Sequence, residues 1–290
     1  MSAATQPTST ATATATTTTA TPASPDIVIG VLALQGAFLE HLATLRRLAI
    51  PTLEVRTLSD LTHCDGLIIP GGESTAIALL AQREGLLQPL RTYSAQHRPL
   101  FGTCAGLILL SDSVLGQKRG GQELIGGLDV TTQRNHYGTQ LGSFRAPLTV
   151  DAFSGNGGPQ SEAVFIRAPG IVEVGTDVEV LASIPKEADA LLEQKGKRAD
   201  ESTDSTTQAH TAAQQRTEGS SGGRVDYRGV EQSVVPVAVR QGNLLATTFH
   251  PELTKEWRWH ALFADMVRAD KQRRLKESQV DEVEQGGVQS

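Results

Sequence analysis

The sequence predicts an α/β fold with a doubly wound, mostly parallel sheet flanked by helices. Two observations lead to this prediction. Short apolar runs without polar alternation, such as the run at 27–34, are typical of strands that are buried on both faces. Segments with helical periodicity separate these runs. In such a sheet the carboxyl ends of the strands, and the loops that follow them, lie on one edge.

Strands and helices alternate through the first half of the chain. After the first apolar run, Phe38, Leu42 and Leu45 recur at helical spacing, and Pro51 ends the helix that we predict over 37–50. The remaining elements continue the alternation, with strands at 53–57, 65–70 and 99–103 and helices at 74–80, 86–97 and 105–111.

The second half of the chain is richer in predicted strands. These strands lie at 128–132, 163–166, 172–174, 178–183, 234–240 and 244–249. A turn sequence at 241–243 joins the last two. An amphipathic helix from Trp257 to Arg273 closes the fold, with Trp259 and Phe263 among the apolar residues on one side.

We expect a single folded domain over residues 26–275. Residues 1–25 are rich in Ser, Thr and Ala and are predicted to be a disordered tail, and residues 276–290 are predicted to be a polar tail. The polar stretch at about 186–232 is predicted to be a low-complexity insertion. A tolerated, disordered insertion is the favoured interpretation, and a regulatory or partner-contacting segment is the alternative.

Composition and charge exclude several classes of function. The net charge is −6 and no run of Lys and Arg stands out, so the footprint of a nucleic-acid-binding protein is missing. No apolar run is long enough to span a bilayer, and the N-terminus lacks the features of a secretory or mitochondrial signal. Cys64 and Cys104 are too few for a disulfide framework and lack metal-type spacing. We therefore expect a cytoplasmic protein with reduced thiols.

Cys104 stands between two glycines where a predicted strand meets a predicted helix. The sequence GTCAG at 102–106 has the pattern of a nucleophile elbow in its cysteine form. Small flanking residues permit the tight turn that exposes the side chain, and the N-terminus of the following helix favours the reactive thiolate. The alternative, a buried cysteine that acts as a small apolar residue, is preferred for Cys64, which precedes a strand without such a pattern.

His250 and Glu252 follow the last predicted strand. A cysteine nucleophile needs a general base and a group that orients this base. Residues two apart in an extended segment point to the same side, so His250 can face the thiol while Glu252 binds its other ring nitrogen. An ordinary surface or core histidine is the preferred interpretation for His41, His63, His97, His136, His210 and His260.

Gly71 and Gly72 follow the third predicted strand, on the same edge of the sheet. When a thiolate attacks an amide, negative charge develops on the amide oxygen, and backbone donors are needed there. Glycine allows the backbone to approach a ligand closely. The N–H groups of Gly72 and Ala105 are the predicted oxyanion hole, and a plain left-handed turn at the glycines is the alternative.

Six segments stand out along the chain: LALQGAFLEH (32–41), IIPGGEST (68–75), GTCAGLILL (102–110), RNHYG (134–138), FIRAP (165–169) and TTFHPEL (247–253). Together they resemble the glutaminase subunits of pyridoxal 5′-phosphate synthase, which are class I, triad-type glutamine amidotransferases. GxCxG with HPE is typical of the superfamily, whereas LQG, GGEST, RN and FIRAP are typical of the subfamily. The resemblance covers most of 27–268 apart from the insertion.

The resemblance implies a flavodoxin-like fold and the hydrolysis of glutamine to glutamate and ammonia, without a metal or a cofactor. It implies a catalytic triad of Cys104, His250 and Glu252. The residues that it implies for glutamine binding are Gly72, Glu73, Ser74, Arg134, Ile166 and Arg167. It also implies a hetero-oligomeric complex with a synthase subunit, which receives the ammonia through an internal tunnel.

Two features depart from the family pattern R-N-x-F-G-R-Q and its compact chain. Thr139 replaces the second arginine of that pattern, which affects a local salt bridge or interface contact, and the insertion is additional. The alternatives to the implied function are an amidotransferase subunit that serves a different acceptor pathway, a non-catalytic binding subunit of the same fold, and a protease- or chaperone-like member. The intact triad and the glutamine-binding pattern favour the glutaminase.

Overall fold

The computed structural model describes most of the chain. The described residues are 27–117, 121–134, 136, 143–155, 157–186, 224–228 and 233–286, with side chains described up to 279. The tail predicted over 1–25 lies outside them, as do Thr139 and most of the predicted insertion.

Helices and strands alternate from Ile29 onward. The helices are α1 (Phe38–Arg47), α2 (Leu58–Thr62), α3 (Ser74–Arg83), α4 (Leu87–Ala95), α5 (Ala105–Leu110) and α6 (Arg258–Gly286). The strands are β1 (Ile29–Leu32), β2 (Thr52–Val55), β3 (Gly66–Ile69), β4 (Leu100–Thr103), β5 (Ser111–Leu115), β6 (Leu128–Gln133), β7 (Phe144–Thr149), β8 (Gln160–Phe165), β9 (Gly170–Val174), β10 (Glu179–Pro185), β11 (Val225–Asp226), β12 (Val234–Gln241) and β13 (Leu244–Thr247). Single 3-10 turns span Asp151–Phe153 and Pro251–Leu253.

A seven-stranded sheet with the order β10-β12-β13-β4-β3-β1-β2 forms the centre of the fold. Strands β2, β1, β3, β4 and β13 are parallel, and β12 and β10 extend the sheet in antiparallel fashion. The parallel strands are arranged in the order second, first, third, fourth and fifth along the chain, which is the flavodoxin-like order. This arrangement confirms the doubly wound, mostly parallel sheet that the sequence predicts.

Helices cover both faces of the central sheet. Because successive strand residues face opposite sides, Val31 belongs to one core cluster and Leu32 to the other. Helices α1 and α6 pack on the first face through residues such as Leu42 and Phe263, and helices α2 to α5 pack on the second face through residues such as Leu107. With both faces covered, the central strands are apolar along their whole length.

Two smaller sheets flank the central one. The four-stranded sheet has the order β11-β9-β6-β5, and the two-stranded sheet pairs β7 with β8. Arg134 follows β6, and Ile166 and Arg167 follow β8. The smaller sheets therefore position three of the residues predicted to bind glutamine.

Several short elements are absent from the sequence-based prediction. Helix α2 is too short for a helical periodicity, and a capping box between Thr57 and Asp60 holds it. Strand β7 contains Pro147. Proline has no N–H to donate and is unusual in a central strand, but an edge strand of a two-stranded sheet tolerates it. Strand β5 starts at Ser111, which the sequence assigns to the preceding helix.

The closing helix α6 is longer than predicted. The sequence predicts its end at Arg273, but it continues to Gly286, into the segment predicted to be a polar tail. Ion pairs between neighbouring turns, such as Arg273 with Glu277 at 3.0 Å, stabilise this part in the absence of an apolar stripe. No helix of the described residues is both long and apolar enough to cross a membrane.

Candidate active site

A polar cavity of about 210 Å³ opens at the carboxyl ends of β1, β3, β4 and β13. This is the edge at which ligands bind in doubly wound sheets. The residues that line the cavity are Gln35, Gly72, Glu73, Ser74, Cys104, Ile108, Arg134, Ile166, Arg167 and His250. The structure thus brings together every predicted site residue except Ala105 and Glu252. Ala105 follows Cys104 in the chain, and Glu252 contacts His250.

Cys104 occupies a strained turn between β4 and α5. Its φ of 49° lies in the left-handed region, which non-glycine residues seldom adopt. The glycines on either side make the turn possible, because a Cβ at Gly102 would overlap the backbone of Gly106, and a Cβ at Gly106 would overlap the carbonyl oxygen of Ile69. The N–H of Cys104 donates to the carbonyl of Thr247 at 2.8 Å, which ties the turn to the end of β13.

His250 and Glu252 form a buried pair beside the thiol. Nδ1 of His250 lies 2.7 Å from Oε1 of Glu252, and the His250 ring lines the same cavity as Cys104. The prediction that an extended segment aligns the two residues is wrong, because Pro251–Leu253 is a 3-10 turn. The turn itself folds Glu252 back under the ring. Gly71 leaves room for that ring, because a Cβ there would overlap it.

His250 and Glu252 each stabilise the charged form of the other. Burial opposes protonation of His250, but its interactions with Cys104 and Glu252 raise the pKa of His250 well above its ordinary value. Burial alone would raise the pKa of Glu252, but His41 and His250 hold it below its ordinary value. The arrangement therefore favours an imidazolium at His250 and a carboxylate at Glu252.

The wall of the cavity also carries a charged cluster of Glu73, Arg134 and Arg167. Arg134 pairs with Glu73 at 2.8 Å, and Arg167 lies 3.8 Å from the other oxygen of Glu73. Arg167 has a φ of 46°, a strained conformation at the rim of the cavity. Two guanidinium groups against one carboxylate leave a net positive charge, which suits an anionic group of a ligand.

The loop 72–74 completes the wall, and Ala105 follows Cys104 in the chain. Ser74 is buried at the start of α3, and Gly72 lies against the side chain of Gln35. Ala105 is the first residue of α5, whose first N–H groups have no partner within the helix. Gly72 lines the same cavity as Cys104, and the role of the Gly72 and Ala105 N–H groups as an oxyanion hole stays a prediction.

Two polar residues of the site have no role in the sequence-based prediction. Gln35 accepts a hydrogen bond from the N–H of Glu73 at 2.9 Å and holds the loop 72–74. Gln122 accepts from Ser74 at 2.9 Å and from Arg134 at 3.1 Å. The LQG motif marks Gln35 only through the family resemblance, and no local pattern marks Gln122, because it lies in an irregular loop.

The remaining histidines of the described residues differ in exposure, and His136 is partly buried. His41 and His260 are fully buried, whereas His63 and His97 are exposed, and His210 lies outside the described part. Cys64 is buried, which agrees with its interpretation as a core residue. Among the residues whose positions are described, no group of three or more His, Cys, Asp and Glu side chains is arranged to hold a metal ion.

The doubly wound sheet and a cysteine elbow beside a His–Glu pair define a class of protein, the triad-type glutamine amidotransferases. The chain belongs to the SNO glutamine amidotransferase family, whose sequence model matches residues 31–198. This match confirms the resemblance described above.

Similar proteins extend the match over most of the chain. The probable pyridoxal 5′-phosphate synthase subunit PDX2 of Arabidopsis thaliana is 45% identical over 83% of this chain and 86% of its own length. The pyridoxal 5′-phosphate synthase subunit PdxT of Streptomyces avermitilis is 43% identical over 84% of this chain and 96% of its own. A crystal structure of a glutamine amidotransferase superposes with a TM-score of 0.61 at 34% identity, covering 82% of this chain and 98% of that one.

Proposed function

We propose that this chain hydrolyses L-glutamine to L-glutamate and ammonia through a γ-glutamyl thioester at Cys104. The ammonia passes to a pyridoxal 5′-phosphate synthase subunit, where it serves vitamin B6 biosynthesis. The observation that carries the proposal is the meeting of Cys104 with the His250–Glu252 pair in one polar cavity.

The charged wall provides the binding site for the amino-acid end of glutamine. A cavity of about 210 Å³ suits a single amino acid. The α-carboxylate binds the guanidinium groups of Arg134 and Arg167, and the α-ammonium group binds Glu73. Because Cys104 lines the same cavity, the side-chain amide of the bound substrate can reach the thiol.

The first half of the reaction forms the thioester. The Cys104 thiolate attacks the amide carbon, and the N–H groups of Gly72 and Ala105 stabilise the negative charge on the oxygen. The His250 imidazolium then donates its proton to the nitrogen, the C–N bond breaks, and ammonia leaves. Glu252 keeps the ring oriented through the 2.7 Å contact.

The second half of the reaction releases glutamate. His250, now neutral, takes a proton from a water molecule, and the resulting hydroxide attacks the thioester carbon. The C–S bond breaks, glutamate leaves and the thiolate is restored beside the imidazolium. One water is consumed for each glutamine, and one ammonia and one glutamate are formed.

Three further features belong to this proposal. The partner is a synthase subunit in a hetero-oligomeric complex, because the relatives at 43–45% identity bear the name of such subunits. Residues 26–275 act as one glutaminase domain. The location is cytoplasmic, which is supported by two cysteines that are free thiols.

The test is the glutaminase activity of a Cys104→Ala variant in complex with a pyridoxal 5′-phosphate synthase subunit. We expect the variant to form the complex but to release no glutamate above background, because the nucleophile is missing. Cys64→Ala is the matched control, since burial raises the pKa of Cys64 to about 12 and keeps this thiol protonated. Undiminished activity in Cys104→Ala contradicts the proposal. If the wild type fails to bind the synthase subunit, it serves a different acceptor.

A further inference from the structure

Glu252 has a second neighbour on the side away from His250. Its side chain is completely enclosed, and only Oε1 contacts His250. The other oxygen, Oε2, has no hydrogen-bond partner among the described residues, but it lies 3.6 Å from Nε2 of His41. A buried carboxylate oxygen without a donor destabilises the folded protein. The group that faces Oε2 therefore influences the position and charge of Glu252.

His41 belongs to a chain of buried polar groups. Its Nδ1 lies 2.8 Å from Nε2 of His260, and its Nε2 lies 3.2 Å from the hydroxyl of Thr103. Both histidines are fully buried between α1 and α6. Thr103 directly precedes Cys104, so the chain of contacts runs from the nucleophile turn to the back of Glu252.

The partners of the two rings indicate where the protons are. Nδ1 of His260 is buried and has no partner among the described residues. A buried N–H without an acceptor is rarer than a buried acceptor without a donor, so this nitrogen carries no proton. The proton of His260 is then on Nε2, which donates to Nδ1 of His41. The proton of His41 is therefore on Nε2, and it faces Glu252 and Thr103.

Burial keeps both rings uncharged. It lowers the pKa of His260 well below its ordinary value and also lowers the pKa of His41. His41 thus presents an N–H dipole, not a full charge, to Glu252. At 3.6 Å the contact is electrostatic and too long for a hydrogen bond, but the exclusion of water strengthens it.

We propose that His41 is a positioning residue of this glutaminase, whose Nε2–H fixes the outer oxygen of Glu252 and so holds the His250 ring toward Cys104. His260 sets the tautomer of His41, because Nε2–H of His260 donates to Nδ1 of His41. The inference rests on the proposed function, since it assigns a role in the same reaction. It extends the triad to two histidines on α1 and α6.

The test compares three substitutions of His41 in the complex with the synthase subunit. An amide N–H in His41→Gln reaches as far as Nε2, whereas in His41→Asn it reaches only as far as Nδ1, and His41→Leu has no donor. We expect His41→Gln to keep kcat within about threefold of the wild type, and His41→Asn and His41→Leu to lose roughly tenfold to a hundredfold, the size of one lost interaction with a buried charged group. KM for glutamine should change by less than about threefold in all three, because His41 does not touch the substrate.

The outcomes separate a positioning role from a packing role. If His41 only fills space, His41→Leu should match His41→Gln, and that result overturns the inference. If His41→Leu does not fold, the comparison between His41→Gln and His41→Asn decides, and equal kcat values overturn the inference. A wild-type complex that releases no glutamate instead overturns the proposed function, and the inference with it.

Discussion

At the scale of single residues, the candidate site depends on strained and buried groups. The left-handed conformation of Cys104 costs about 1–3 kcal/mol, which the surrounding fold must offset. The conformation projects the thiol from the sheet edge toward His250. Glu252 then fixes the ring from the buried side at 2.7 Å. Each of these groups is useful only because its neighbours hold it in place.

Replacement of Glu252 by Gln tests the electrostatic part of this arrangement. Glu252 contributes to the raised pKa of His250, so a neutral amide should move the alkaline limit of kcat to lower pH. We also expect kcat to fall by roughly a hundredfold to ten-thousandfold, as in triads that lose the carboxylate behind the histidine. The measurement is the pH profile of glutamate release.

The control for this substitution is Glu256→Gln. Glu256 is also a partly buried carboxylate, but it pairs with Arg258 and does not contact the triad. Its pH profile should match that of the wild type. If the alkaline limit of kcat is the same in Glu252→Gln and in the wild type, a group other than Glu252 raises the pKa of His250.

The meeting of Cys104, His250 and Glu252 in one site could be predicted from the sequence because their signals are local, and their catalytic roles stay a prediction. The glycines around Cys104 and the two-residue spacing of His250 and Glu252 each lie within a few positions. Gln122 and His41 could not be assigned in this way, because they join the site across separations of 48 residues from Ser74 and 62 residues from Thr103. Only the fold makes them neighbours.

At the scale of elements, the packing of α5 against β3 and β4 sets the position of the thiol. Helix α5 has only six residues, and all of them are buried. Its close approach to the sheet depends on Gly106, where a Cβ would overlap the carbonyl of Ile69. A small shift of this helix would move both Cys104 and the predicted donor of Ala105.

We therefore expect Gly106→Ala to reduce both stability and activity. Overpacking of this kind lowers the free energy of unfolding by about 1–3 kcal/mol, which lowers Tm by several degrees. Gly155→Ala is the matched control, because a Cβ at Gly155 meets no atom within 4 Å. Thermal unfolding and glutamate release are measured together, and a Gly106→Ala variant as stable and active as the control would contradict this role of the glycine.

The predictability of an element follows from how its residues are buried. Strands β1, β3 and β4 are buried on both faces and are therefore marked by continuous apolar runs. Strand β7 and the end of α6 carry no such signal. Strand β7 is stabilised by pairing with β8, and the end of α6 is stabilised by ion pairs. Neither kind of contact produces a hydrophobic pattern in the sequence.

At the scale of the whole molecule, the two covered faces of the sheet enclose polar groups that water cannot reach. His41 and His260 are sealed between α1 and α6 on the first face. Both are uncharged in the folded protein, because burial lowers their pKa. The stability of the entire fold must therefore depend on pH through these two rings.

The sign of this dependence follows from proton binding. In the unfolded chain a histidine binds a proton below a pH of about 6.5, whereas the buried ring binds it only at lower pH. Between a pH of about 6.5 and the lowered pKa of the folded state, acidification therefore favours the unfolded state by up to about 1.4 kcal/mol per pH unit for each such ring. His260→Gln removes one of the two buried rings while keeping a donor for His41. The free energy of unfolding of this variant should therefore fall less than that of the wild type between neutral and mildly acidic pH.

Urea unfolding at a series of pH values measures this difference. His63→Gln, at an exposed position, is the control and should follow the wild type. Parallel curves for His260→Gln and the wild type would show that His260 is not kept neutral by burial.

The most direct test of the central claim is peptide mass spectrometry of the wild-type chain in its synthase complex, quenched with acid during glutamine turnover. We predict a γ-glutamyl group on the peptide that contains Cys104, absent without glutamine and lost on treatment with hydroxylamine. An unmodified Cys104 peptide during sustained release of glutamate, or a γ-glutamyl group on another residue, would contradict the assignment of Cys104 as the nucleophile.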